Sequence, residues 1–208
     1  MDDRRYAPAT QRNREPILAE LRRALPGSGT VLEIASGTGE HAVWFAARLP
    51  RIVIQPSDPD DEHRASIAAW TAFTGVANVR APLAIDVAAP GWEAGGGVPA
   101  AVAAILCINM IHISPWAATL GLMRGAGALL PPGGLLYLYG AYKRGGAHTA
   151  PSNASFDASL RARDPAWGVR DLEAVTAAAA DAGLAPESVS EMPANNLSLI
   201  LRRRAPIG

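Results

Sequence analysis

The sequence predicts an open, doubly wound α/β domain, and three observations lead there. Short apolar runs alternate with helix-spaced apolar segments between residues 30 and 139. Glycines at 37 and 39 follow the first run directly, and the last two runs are separated only by Pro193-Ala194-Asn195-Asn196. Strands that feed helices in this order pair in parallel through right-handed crossovers and cover both faces of a sheet. A connection as short as the last one cannot cross over, so it forces an antiparallel hairpin.

Pro16 is expected to open a first helix that runs to about Leu25, with Ile17, Leu18, Leu21 and Leu25 on one face and Pro26-Gly27 as the stop. Residues 1–28 thus read as an N-terminal lid or packing helix. Thr30 to Ala35 is a strand, Gly37-Thr38-Gly39 a turn, and Glu40 to Leu49 a helix with apolar Val43, Trp44 and Ala47. Arg51 to Gln55 is a second strand. Asp58-Pro59 then reads as an N-cap followed by proline at the first helical position, with the helix reaching about Phe73. Val79 to Ile85 is the expected third strand, Gly91 to Gly97 a surface loop and Ala101 to Ile108 the fourth strand. Ser114-Pro115 caps a helix to about Leu130, and Pro131 to Gly134 turns into a fifth strand, Leu135 to Tyr139. A helix from Leu172 to Ala182 precedes the hairpin of Glu187 to Met192 and Leu197 to Arg202. No internal repeat or second core is seen, so residues 1–208 read as one domain.

Composition narrows the partners. The 208 residues are 49% hydrophobic and 18% charged, an ordinary globular balance. Lys plus Arg and Asp plus Glu number 19 each, so no net field favours a nucleic-acid backbone or an anionic membrane, and a small-molecule substrate fits better. Cys107, the single cysteine, rules out an intrachain disulfide and a Cys-rich zinc site, and a reducing cytoplasm is the expected compartment. Met1 to Arg14 holds no apolar stretch of the kind a secretory signal or anchor needs. Val98 to Ile113 is too short for a bilayer and is broken by Pro99, Asn109 and His112. No metal, membrane or nucleic-acid partner is expected, and the oligomeric state is not readable.

The chemistry concentrates where strands end. In VLEIASGTGEH, Val31 to His41, a strand enters a glycine turn that lets backbone approach a ligand. Gly37, Gly39 and Ala42 fit a loose dinucleotide pattern, so the turn alone does not separate a nicotinamide from an adenosylmethionine site. Glu33 lies inside an apolar strand, where an unpaired carboxylate is costly and needs a backbone or ligand partner. Asp58 follows the second strand 21 positions after Gly37, a spacing at which an acid meets ribose hydroxyls. It equally suits the N-cap. In INMIHISPW, Ile108 to Trp116, the fourth strand continues into a loop that puts Asn109, Met110 and His112 at the carboxyl edge of the sheet, where open α/β sheets bind ligands. His112 is structural, or a base that accepts an acceptor's proton.

These blocks together resemble the methyltransferase-like protein 26 family, also called domain of unknown function 938. The resemblance rests on RNREPIL (Arg12 to Leu18), LEIASGTGEH (Leu32 to His41), QPSDPD (Gln55 to Asp60) and NMIHISPW (Asn109 to Trp116). It continues in SNASFDASLRARDPAWGVRD (Ser152 to Asp171) and MPANNLSLI (Met192 to Ile200), so it spans nearly the whole chain. It implies a Rossmann-like class I methyltransferase fold: a mostly parallel, seven-stranded sheet with a terminal antiparallel strand. It also implies S-adenosyl-L-methionine as cofactor and S-adenosyl-L-homocysteine as product. On this resemblance Glu33, Ala35, Ser36, Gly37, Gly39, Asp58, Asp86, Val87, Asn109 and Met110 bind the cofactor. Glu33 would organise the loop around the methionine moiety, and Asp86 would lie near the adenine amino group. Residues 143–171 would be a substrate-side insertion, and Trp116, Tyr139, Tyr142, Asn153 and Asn195 the acceptor pocket. Tyr139-Gly140-Ala141-Tyr142 departs from the family's Tyr-Gly-Pro-Phe next to that pocket. The expected activity is direct methyl transfer to a small molecule, with His112 as the candidate base. The rival readings are a non-catalytic adenosylmethionine-binding protein and an NAD(P)-dependent oxidoreductase. Neither the acceptor nor the methylated element is readable.

Overall fold

A computed structural model of the protein describes residues 2–205; Met1 and residues 206–208 of the expected 1–208 domain lie outside them. In chain order the strands are β1 (Gly29–Ile34), β2 (Ile52–Pro56), β3 (Ala104–Ile108), β4 (Leu135–Gly140), β5 (Tyr142–Arg144), β6 (Ala147–His148), β7 (Arg170–Asp171), β8 (Leu184–Met192) and β9 (Asn196–Arg203). The helices are α1 (Pro8–Ala24), α2 (Glu40–Arg48), α3 (Asp61–Thr74), α4 (Trp116–Leu129), α5 (Pro151–Arg163) and α6 (Leu172–Asp181). Six strands form the central sheet in the order β2-β1-β3-β4-β9-β8. Those from β2 to β4 pair in parallel, and β9 is antiparallel to both of its neighbours. The sheet is therefore mostly parallel with an antiparallel strand near its end, and the hairpin forced by the short final connection is β8–β9.

Both faces of the sheet are covered, and strand alternation decides which side chain goes where. Val31, Leu106, Leu135, Tyr137, Tyr139 and Ile200 pack with Ile17, Leu18 and Leu21 of α1 and Phe45 of α2. Leu32, Ile34, Ile105, Cys107, Leu136, Leu138 and Leu199 face the other way, onto Leu122 and Met123 of α4 and Val175 and Ala179 of α6. Residues 142–171, nearly the expected insertion, build a small sheet of order β6-β5-β7 and the helix α5. Among the described residues no helix is long and apolar enough to cross a membrane.

Three expectations are corrected. The third expected strand, Val79 to Ile85, pairs only through isolated bridges, Ile54–Val79 on β2 and Ser57–Leu83 just past its end, and does not become a seventh strand. Ile54 N–H donates to the Asn78 carbonyl (2.8 Å) and Arg80 N–H to that of Ile54 (2.9 Å). The next two ladder bonds would need N–H groups from Pro56 and Pro82, and proline has none. The Gln55 side chain takes over, its Nε2 donating to the Ala81 carbonyl at 2.7 Å. Next, α1 begins at Pro8 instead of Pro16, which lies inside the helix. Proline at the helix start sacrifices no bond, while the loss at Pro16 is tolerated because Ile17, Leu18 and Leu21 are fully buried. Finally, neither expected cap holds: Asp60 rather than Asp58 caps α3, and the Ser114 hydroxyl donates back to the Met110 carbonyl (2.8 Å) instead of capping α4.

Candidate functional site

The turn after β1 is shaped by three residues with positive φ: Ala35 (53°), Gly37 (57°) and Gly39 (87°). At Gly39 glycine is obligatory, since a Cβ would lie 2.7 Å from the Ile67 Cα of α3. The turn is tied to the end of β2. Ser36 N–H donates to the Ser57 carbonyl (2.8 Å), and the Ser57 hydroxyl to the Glu33 carbonyl (2.7 Å). Asp58 completes the tie: its Oδ2 accepts the Gly37 N–H at 2.9 Å, and its Oδ1 accepts the Asp60 N–H at 3.0 Å and lies 3.2 Å from His63 Nδ1. Asp60 meanwhile accepts from the N–H groups of Glu62 and His63. Asp58 is thus free of the capping duty, and its buried carboxylate faces a cavity.

That cavity has a volume of about 290 Å³, and six of the candidate residues, Ala35, Gly37, Asp58, Asp86, Val87 and Met110, line it. It adds Ile34, Pro59, Asp60, His63, Ile85, Ile108, Ile113, Ser114 and Ala118, which sequence reasoning did not assign. Asp86 is exposed at the rim, its Oδ1 accepting the Ala88 N–H at 2.9 Å. Glu33, Ser36 and Gly39 are buried and do not line it. Glu33 is 2% exposed, and its Oε2 is buried with no hydrogen-bond partner among the described residues. Burial pushes the carboxyl up to about 7, with Ser36 opposing the rise and the Asp58 charge adding to it.

A second cavity, of about 510 Å³, lies at the carboxyl ends of β3 and β4. Its wall takes Ala9, Arg12 and Asn13 from α1, Asn109 and Ile113 from the loop after β3, and Tyr139 and Ala141 from the end of β4. Ser152, Asn153 and Phe156 of α5, and Pro193, Ala194 and Asn196 of the hairpin turn, close the rest. Asn109 therefore meets this cavity and not the smaller one, while Ile113 lines both. Of the expected acceptor residues, Tyr139 and Asn153 are on the wall. Asn153 Nδ2 donates to the Asn195 carbonyl (2.9 Å) and to Thr149 Oγ1 (3.0 Å), tying α5 to the hairpin. Burial raises the Tyr139 phenol above its ordinary value, with the amides of Asn13 and Asn196 opposing.

Three expected pocket residues are elsewhere. Asn195 points its amide at Ser152 Oγ (3.0 Å), and its neighbour Asn196 lines the cavity instead. Trp116 is half-buried at the start of α4 with the Arg170 guanidinium 5.8 Å from its ring, and lines a shallow groove on another face. Tyr142 is fully buried, edge-on to the His112 ring at 5.1 Å. His112 itself is 0% exposed and lines neither cavity. Its Nδ1 accepts the Arg170 N–H (3.3 Å), which leaves the proton on Nε2, buried against Gly140 without a partner among the described residues. Burial, followed by the Arg170 charge, pushes the imidazole down to about 3. The ring is neutral and presents no lone pair to a ligand, so this geometry gives it a supporting place behind the cavity wall.

Arg12 and Asn13 also line the second cavity and are not among the candidates the sequence offered. Asn13 Oδ1 lies 2.8 Å from Nε2 of His41, whose imidazole burial pushes down to about 4. The N-terminal segment is strapped over the glycine turn as well: Glu40 Oε2 accepts the Ala7 N–H (2.6 Å) and the Thr38 hydroxyl (3.0 Å). The RNREPIL block was the available signal, but polar residues on a packing helix carry no sign of which cavity they reach. Among the described residues no group of three or more His, Cys, Asp or Glu is placed to hold a metal ion.

Residues 4–203 match the family described as "Protein of unknown function (DUF938)", and the chain belongs to that family. Its fold is that of known methyltransferases. An O-methyltransferase family protein from Burkholderia thailandensis superposes with a TM-score of 0.79 at 18% identity, over 95% of this chain and 58% of that one. The S-adenosylmethionine-dependent methyltransferase SibL gives 0.76 at 19% identity, over 95% and 56%. An O-methyltransferase family 2 protein from Planctomyces limnophilus, solved with apigenin, gives 0.72 at 18%, over 93% and 61%. The chain thus spans a little over half the length of these proteins.

Proposed function

We propose that this member of the DUF938 family, which we group with the methyltransferase-like protein 26 proteins, transfers a methyl group from S-adenosylmethionine to a small-molecule acceptor. The observation that carries the reading is the pair of cavities that share Ile113 at the carboxyl edge of the sheet. One is lined by acceptors of hydrogen bonds, Asp58, Asp60 and Asp86, and the buried Glu33 of the same turn keeps an oxygen without a partner among the described residues. Adenosylmethionine offers the matching donors: two ribose hydroxyls, an exocyclic amine and an ammonium. Asp58 would hold the ribose, Asp86 the adenine edge, and Glu33 the ammonium. When bound, the cofactor supplies a methyl group on a positively charged sulfur, a leaving group that needs little assistance.

This chain's own residues then hold the acceptor in line and keep water out. Tyr139, Asn109 and Asn153 present polar groups to the second cavity, and Ile113 and Phe156 present apolar ones. Catalysis on this reading is mainly alignment, with His112 and Tyr142 supporting the floor from behind. An NAD(P) oxidoreductase is disfavoured by the same turn. A pyrophosphate needs the free N–H groups and positive end of a helix, whereas Asp58 already occupies the Gly37 N–H and Glu40 sits in the first turn of α2. Calorimetry tests the proposal: the protein should bind adenosylhomocysteine with micromolar affinity as an order of magnitude. Saturable NAD binding with no response to adenosylhomocysteine would overturn it.

A further inference from the structure

We infer that Arg12 is an anion clamp that receives a carboxylate in the cavity between α1, α5 and the β8–β9 turn, a step that rests on the methyltransferase reading. The two cavities differ sharply in charge. Among the described residues the smaller is lined by three aspartates and no lysine or arginine, whereas Arg12 is the one formally charged side chain on the wall of the larger. Among the described residues Arg12 pairs with no carboxylate; other arginines, Arg22 and Arg51 among them, share that, so what sets Arg12 apart is its place on this wall.

Around the guanidinium the wall supplies neutral hydrogen-bonding groups, the amides of Asn13 and Asn196 and the Tyr139 phenol. Farther round it is apolar: Ile113 and Phe156 are large hydrophobic side chains left 42% and 37% exposed, and both line this cavity. Arg12 is itself exposed, so water screens its charge in the open cavity; its pull on an anion comes from its being the cation of a concave wall that a ligand would close over. A planar guanidinium also matches a carboxylate bidentately. The ligand that satisfies this wall is amphipathic, with a carboxylate at the α1 end and an apolar body against Ile113 and Phe156. Two sources offer that carboxylate: the amino-acid end of the cofactor, or the acceptor itself.

The full-length protein and its Arg12→Gln variant distinguish them by calorimetry with three probes. Adenosylhomocysteine carries the amino-acid carboxylate, 5′-methylthioadenosine lacks it, and benzoate, added with adenosylhomocysteine saturating, mimics a ring-bearing acceptor with benzamide as its neutral control. Loss of a charged pair predicts a drop of about 10- to 100-fold. If Arg12→Gln loses this for adenosylhomocysteine but not for 5′-methylthioadenosine, the clamp holds the cofactor. If both nucleosides bind as in the wild type while benzoate loses its advantage over benzamide, the clamp holds the acceptor. Arg12→Lys, which keeps the charge, should restore part of either loss. An Arg12→Gln variant indistinguishable from the wild type with every probe overturns the clamp and leaves the cofactor reading standing. A wild type that binds neither nucleoside overturns both.

Discussion

Replacing Glu33 by Gln should make the protein more stable at high pH and a poorer binder of cofactor, and both effects follow from one buried atom. The carboxyl is 2% exposed, lacks a partner for Oε2 among the described residues, and is raised from 4.5 to about 7 chiefly by burial. Below pH 4.5 it is protonated whether the chain is folded or not and contributes no penalty. As pH rises the unfolded chain releases the proton first, so stability present at low pH is lost until the folded state also ionises near 7. A tenfold difference in proton affinity between the folded and unfolded chain is worth about 1.36 kcal/mol, so the loss between pH 5 and pH 8 is about 2–3 kcal/mol. Glutamine keeps the shape and removes the titration. Urea unfolding of both proteins at pH 5, 6.5 and 8 should therefore show the variant gaining about 2–3 kcal/mol on the wild type across that range. The difference between the two proteins isolates Glu33, because His112 and His41, pushed down to about 3 and 4, move both profiles the opposite way. If Glu33 takes the ammonium of the cofactor, binding favours its ionised form. Wild-type affinity for adenosylhomocysteine then rises with pH toward 7, and Glu33→Gln binds more weakly with a flat profile. Parallel stability curves and equal affinities would refute the assignment.

Three further outcomes follow from the packing. Gly39→Ala drives a Cβ to 2.7 Å from the Ile67 backbone at a φ of 87° and should cost about 2–4 kcal/mol. Gly37→Ala meets nothing within 4 Å and should cost only about 1–2 kcal/mol; equal costs in urea unfolding would contradict this account of the turn. Asp157 is contacted by Lys143 at 3.3 Å and Arg161 at 3.2 Å and accepts the Val169 N–H at 2.7 Å. Asp157→Asn should thus raise amide exchange across residues 142–171 while adenosylhomocysteine affinity holds, and unchanged protection there would argue against its role as the insertion's anchor. His112→Ala should lower stability by about 2–4 kcal/mol through lost packing. It should leave any acid limb near pH 6.5 in the methyl-transfer rate unmoved, whereas a limb that vanishes with the histidine would make His112 the base after all.

What the sequence revealed and what it concealed divide along a physical line. Strand, glycine turn and helix were readable because their signals are local: apolar period, glycine position, loop length. The failed third strand was not, because Val79 to Ile85 has a good strand pattern by itself. Only the pairing partner shows that Pro56 and Pro82 fall on consecutive donors of one ladder. The start of α1 was hidden for a related reason, since Gln11 to Glu15 carry no apolar repeat and either proline could stand in a first turn. Of the candidate residues, those fixed by the turn itself, Ala35, Gly37 and Asp58, do line the smaller cavity, while only Tyr139 and Asn153 of the five named for the acceptor line the larger. One miss had a readable cause. Tyr139 and Tyr142 are three positions apart around a strand end, so the alternation of side chains sends them to opposite faces, and they do lie in opposite halves of the core. Arg12, Phe156 and Asn196 had no such signal. They belong to three segments far apart in the chain, and only the docking of α1, α5 and the hairpin over one sheet edge makes them neighbours. The glycine turn can be read from one stretch of chain because backbone geometry builds it. The wall of the larger cavity is built by tertiary packing, so on the methyltransferase reading its selectivity can change by substitutions on any of three segments while the turn stays as it is.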